Sequence, residues 1–217
     1  GEYITNFGEK ITGVGKTLTT NVTTPIIAAG AASVYAATDF ESAFTKLSTI
    51  ADTSEVSVVD LKDSIIELSN QTGVSASDIA EAAYSAISAG QDTADAVTFV
   101  SEANTLAKAG FTDMDTAVDT LTTTLNAYGM ETDQVSRVSD KLITTQNLGK
   151  TTVNELGSSL GKVIPTAAMY NVSLDELSAA YVTTTKNGIA TAESTTYINS
   201  MLNELGKSGS KSADILS

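Results

Sequence analysis

The 217-residue chain has no cysteine, no histidine and no tryptophan, two prolines and a single arginine, Arg137. Without Cys or His it can build neither a zinc or iron–sulfur site nor a Cys or Ser-His-Asp nucleophile. Disulfides are excluded as well, so cysteine usage says nothing about the redox compartment. Aromatic residues make up 6%, too few for base-stacking platforms or aromatic cages. Basic residues number 12 against 26 acidic, a net charge of −14. That balance opposes binding to a phosphate backbone or to an anionic membrane surface. No basic stretch followed by an apolar run of signal-peptide type opens the chain. A start at Gly1 and an end on Ser-Ala-Asp-Ile-Leu-Ser read as a piece of a longer protein.

What is present is helical. The hydrophobic fraction of 41% suffices for a core, and threonine is abundant. Glycines recur at Gly73, Gly90, Gly110, Gly129, Gly149, Gly188 and Gly206, each after a stretch of helical apolar spacing. Glycine readily takes the left-handed residue that ends a helix. Most are followed by Ser, Thr or Asp with an acid three positions on: Ser57/Asp60, Ser75/Asp78, Asp92/Asp95, Thr112/Asp115, Thr152/Glu155 and Ser173/Glu176. Such pairs cap the first amides of a helix.

Between these marks lie the stripes Leu61, Ile65, Leu68; Ile79, Ala83, Ala86, Ile87; Val118, Leu121, Leu125, Tyr128; and Val153, Leu156, Leu160, Val163. Leu174, Leu177 and Tyr181 lead on to Ile198, Leu202 and Leu205. No period-two alternation persists, so the fold class is all-α, an array of short antiparallel helices. The phrases GVSASDIAEAAY and NVSLDELSAAY are alike, but the rest of their units does not match. The array is an irregular bundle or solenoid-like, with the irregular bundle the preferred reading.

The amino-terminal part differs. Ile4, Phe7, Ile11, Val14 and Leu18 step by three and four, an a/d seam suited to self-association as a coiled coil or to an amphipathic helix lying on the domain. Residues 17–38 are uncharged, with the 13-residue apolar centre PIIAAGAASVYAA. That is short of the roughly 20 residues needed to cross a bilayer. Its small residues suit close helix packing instead. The expected organisation is 1–38 as an amphipathic helix plus an uncharged small-residue helix, 39–207 as a helical core module, and 208–217 as a linker to downstream sequence.

Catalytic, cofactor and metal signatures fail one by one. GVGKT at 13–17 lacks the first Walker glycine, since position 10 is Lys10, and an apolar helical stripe runs through it. Asp113, Asp115 and Asp119 resemble a calcium loop, but Val118 stands where that loop needs glycine. No acid pair has the apolar setting that raises one pKa for hydrolysis. Three Asn-x-Ser/Thr matches, at Asn21, Asn70 and Asn171, are what chance gives in Asn- and Thr-rich sequence.

The phrases as a series carry more than any one of them. NVTTPIIAAGAASVYAATDFESAFTKLSTIADT, ISAG at 87–90, TTLNAYGM at 123–130, TTVNELGSSLGKVIPTAAMYNVSLDELSAAY at 151–181, NGIATAEST and LNELGKSGSKSADIL follow in order. In that order they resemble the amino-terminal region of tape measure proteins of long-tailed bacteriophages. The resemblance spans residues from about 15 to 216. It implies a largely helical, non-enzymatic protein threaded through the tail tube, which sets tail length and is released on genome ejection. Implied partners are tail tube subunits, tail assembly chaperones, tail tip or baseplate proteins, and further copies of itself, with no specific nucleic acid and no cofactor. The same kind of protein occurs in contractile prophage-derived bacteriocins. A departure is that glycines chop this stretch into short helices, whereas a ruler needs long coiled coil, so a folded module is expected. Rival readings are an ejection role in which residues 22–38 enter a membrane, a peptidoglycan hydrolase, and a non-viral helical binding module.

Overall fold

A computed structural model describes residues 37–206. The seam Ile4, Phe7, Ile11, Val14 and Leu18, the stretch 22–36 and the tail 207–217 lie outside the described residues. No strand occurs among the described residues. The elements are α1 (37–48), α2 (Val58–Thr72), α3 (Ala76–Ser88), α4 (Ala96–Gly110), α5 (Met114–Tyr128), a 3-10 turn (Thr132–Gln134), α6 (Val135–Leu148), α7 (Val153–Leu160), α8 (Ile164–Met169), α9 (Leu174–Lys186) and α10 (Thr191–Leu205).

Caps start the helices largely where the sequence places them. Ser57 and Ser75 accept from the amides of Asp60 and Asp78, and Thr152 and Ser173 form reciprocal capping boxes with Glu155 and Glu176. Two expectations shift. Asp113, not Thr112, caps α5 by accepting from the Thr116 amide. Asp95 flanks α4 without a side-chain bond, because 92–95 is a turn of its own. The stripe through Val163 is interrupted: α7 stops at Leu160 and α8 restarts at Ile164. Pro165, in the first turn of α8, can begin a helix but lacks the amide to continue one.

The array is a two-layer stack. Each helix packs on the next and on the one after it, counting α7 and α8 as one broken element. One layer is α2, α4, α6, α9; the other is α3, α5, α7/α8, α10. Hydrogen bonds between turns about one repeat apart set the directions. The Asp52 amide donates to Thr93 Oγ1 (2.8 Å) and Thr132 Oγ1 to Gln91 Oε1 (2.9 Å) at one end. At the other end Thr151 Oγ1 meets Thr191 Oγ1 (2.8 Å) and Lys108 Nζ donates to the Thr72 carbonyl (3.0 Å). Starts therefore meet starts within a layer, and consecutive helices run antiparallel. Of the two architectures the sequence left open, the solenoid-like one is observed.

One core runs through the stack, filled by Phe40, Phe44, Leu47, the four α2-to-α7 stripes, Ile164, Tyr181, Ile198 and Leu202. Leu205, placed on the buried stripe by its spacing, is exposed, and Tyr128 and Ile87 are only partly covered. Buried threonines fit helix interiors by donating to the carbonyl one turn back, as Thr120, Thr124, Thr145 and Thr185 do at 2.6–2.7 Å. Each hydroxyl is thereby satisfied within its own helix, and small polar side chains can line a close helix contact.

Candidate interaction surface

The described residues hold no group of three or more acids spaced to grip a metal ion. No described helix is long and apolar enough to cross a membrane. What they hold is surface. Acids line an open groove of about 400 Å³ between α3 and α5, with Asp78 and Glu81 facing Asp113 and Asp115, and Lys108 at one end. A smaller cavity of about 140 Å³ lies between α5, α6 and the start of α9. Arg137 and Lys141 both pair with Asp175 there. The Lys141 hydrogen bond, more than any other contact, holds the Asp175 carboxyl below its ordinary range. Beside it the Tyr128 hydroxyl is buried without a protein partner. Burial first, then the Glu176 charge, pushes that phenol up to about 12. These groups close a seam between repeats. None is paired with a second group poised to exchange a proton with a substrate.

Apolar exposure is concentrated at the ends. Phe111, between α4 and α5, is 91% exposed and takes a left-handed φ of 52°. Tyr197, Met201 and Leu205 form an i, i+4, i+8 stripe on α10, at 52, 50 and 37% exposure. It lies about 100° around the helix from the buried stripe of Ser194, Thr195, Ile198 and Leu202. Met169 is also exposed, next to Tyr170, whose ring closes directly on Gly206.

Comparison with known proteins now places the chain. A family model described as phage-related minor tail protein matches residues 62–217, which takes in nearly all of the two-layer stack. The chain belongs to that family. Among curated relatives it is 38% identical over 204 residues to a probable tape measure protein of Clostridium phage phiCD119, covering 92% of this chain and 22% of that protein. It is 24% identical over 200 residues to the tape measure protein of Pneumococcus phage Dp-1, covering 92% of this chain and 17% of that one. The chain thus spans about a fifth of the length of these relatives. No solved structure matches it significantly.

For this minor tail family member, the seam proposed from sequence for self-association falls outside the described residues, so the structure brings none of Ile4, Phe7, Ile11, Val14 and Leu18 together. The exposed stripe on α10 escaped the sequence reading, which assigned Leu205 to the core and passed over Tyr197 and Met201. A signal for it was there: TTTLNAYG at 122–129 and NSMLNELG at 199–206 are versions of one helix end.

Proposed function

We propose that this chain is a folded helical module of a tail tape measure protein, whose whole length sets the tail of a phage or phage-like particle and supports assembly of its tube. The 38% identity to a named probable tape measure protein across 92% of this chain is the observation that carries the reading. Tail tube subunits, assembly chaperones and tip or baseplate proteins are its partners under this reading, and its place is the tail. The helices fold back on one another, so this stretch acts as a module of the protein, with measuring left to the rest of its length. A continuous helix of 217 residues would be a rod of roughly 325 Å at 1.5 Å per residue. The stack instead doubles back at every turn.

The test is genetic and visual. Removing the gene from the particle that encodes this chain should abolish tails of uniform length, seen by electron microscopy, and complementation should restore them. Antibody against residues 37–206 should label or blot with purified tails. Tails of unchanged length in the absence of the protein would overturn the proposal.

A further inference from the structure

We infer that the exposed stripe Tyr197, Met201 and Leu205 is the seat for the next helix of the stack, supplied by the part of the same polypeptide that follows residue 217 in the longer chains of this family. The inference rests on an internal comparison. Helices α5 and α10 are both 15 residues long and occupy the same layer two steps apart. Set start to start, they match Ala117 with Ser194, Val118 with Thr195, Leu121 with Ile198 and Leu125 with Leu202, all buried. Each of these helices then ends at a glycine, Gly129 or Gly206.

The two part at one stripe. Thr120 and Thr124 of α5 are buried, whereas their counterparts Tyr197 and Met201 are half exposed. The cause is the next helix in the layer. α7 lies on α5 so closely that a Cβ on Gly157 would sit 2.5 Å from Thr120 Oγ1 and 3.1 Å from Thr116 Cγ2. α10 has α7, α8 and α9 against it, the equivalents of α3 and α4 on α5. Nothing among the described residues takes the place of α6 and α7. The side chains waiting there are larger and more apolar than the threonines they replace, which suits burial by a neighbour and not a solvated outer face.

The repeat names the occupant. Successive helices in this layer start at Met114, Val153 and Thr191, at nearly even intervals along the chain. One more interval of the same length starts the next helix shortly past residue 217. The relatives leave room for it, since the chain covers only 22% and 17% of their lengths. The contact would continue an interface that the molecule already makes between α5 and α7.

Because the chain has no cysteine, a single thiol can report on the surface. Met201→Cys would be made in the 217-residue chain and in a version extended by natural downstream sequence long enough for two more helical pairs. Maleimide labelling should be at least tenfold slower in the extended chain. Thr196→Cys, at the position of the exposed Asp119, should label equally fast in both. Met201→Asp should lower the melting temperature of the extended chain and leave that of the shorter chain unchanged. Equal labelling of the Met201→Cys variant in both chains would overturn the inference. So would protection in the shorter chain that grows with its concentration, because a second copy would then be the occupant.

Discussion

Gly110, the last residue of α4, lies so close to Val153, the first of α7, that a Cβ there would sit 2.6 Å from Val153 Cγ2 and 2.7 Å from its Cβ. This contact decides which residue ends the helix. Gly110 is needed at the contact, so the left-handed position falls to the next residue, Phe111. Gly110→Ala should therefore lower stability by about 1–3 kcal/mol despite alanine's better helix propensity, the range for overpacking a tight site. Val153→Ala combined with it should recover part of the loss. Denaturant midpoints of the two single variants and the double variant check this, and strict additivity would contradict it.

Phe111 gives the converse result. Its left-handed backbone costs a residue with a Cβ about 1–2 kcal/mol, and at 91% exposure its ring gains little from packing. Phe111→Gly should raise the unfolding free energy by about 1 kcal/mol, read from chemical denaturation. A residue kept against its own stability points to use of that exposed ring by a partner in the tail.

How much of this was legible follows from what each signal depends on. Caps and apolar stripes are local, so Ser173/Glu176 and Val153–Leu160 could be read directly. Gly110 carried the same mark as Gly73 and Gly129, yet it serves a contact with Val153, three helices further on, which no local pattern reveals. The stack was hidden for a related reason. Its repeat is kept in helix length and in turn-to-turn hydrogen bonds such as Asp52 to Thr93, while the residues that fill each unit vary from alanine to threonine to tyrosine. The surface on α10 was missed because Leu205 keeps core spacing where the core lacks a neighbour.

Acid should act through the caps. Backbone and side-chain hydrogen bonds from Thr116 hold Asp113 below the ordinary carboxylate range, and those from Ser173 do the same for Glu176. A carboxyl with a depressed folded pKa contributes fully above its unfolded value and loses that contribution as pH falls through the folded one. Stability should thus fall as pH drops from about 5 toward 3, and Asp113→Asn with Glu176→Gln should flatten that fall. An unchanged pH profile in the double variant, followed by thermal melting, would refute the assignment.

Salt should stabilise the chain at neutral pH. The net charge is −14, and the ion pairs of Lys62 with Glu41 and of Arg137 and Lys141 with Asp175 are all partly exposed. Screening weakens repulsion among many acids and only a few attractive contacts. The melting temperature should rise between about 20 and 200 mM sodium chloride. A fall would mean that the ion pairs outweigh the repulsion.

The joint between the last two repeats offers the sharpest test, because it is polar and buried. Thr191 Oγ1 lies 2.8 Å from Thr151 Oγ1 and 3.1 Å from Glu155 Oε2, and Glu155 also accepts the Thr152 amide at 3.1 Å in the α7 capping box. Thr191→Val keeps the shape of the side chain but removes its hydroxyl, leaving Thr151 short of its best partner. Such a loss costs about 1–3 kcal/mol when the remaining group is buried. Removing both hydroxyls leaves neither stranded, so Thr151→Val with Thr191→Val should be less destabilised than the sum of the single variants, by about 1 kcal/mol or more. Thr191→Ser, which keeps the oxygen and loses a methyl, should sit between wild type and Thr191→Val. If Thr191→Val were as stable as wild type while Thr191→Ser were weaker, the methyl group and not the hydroxyl would be what joins the repeats, and the polar joint would be incidental to the stack.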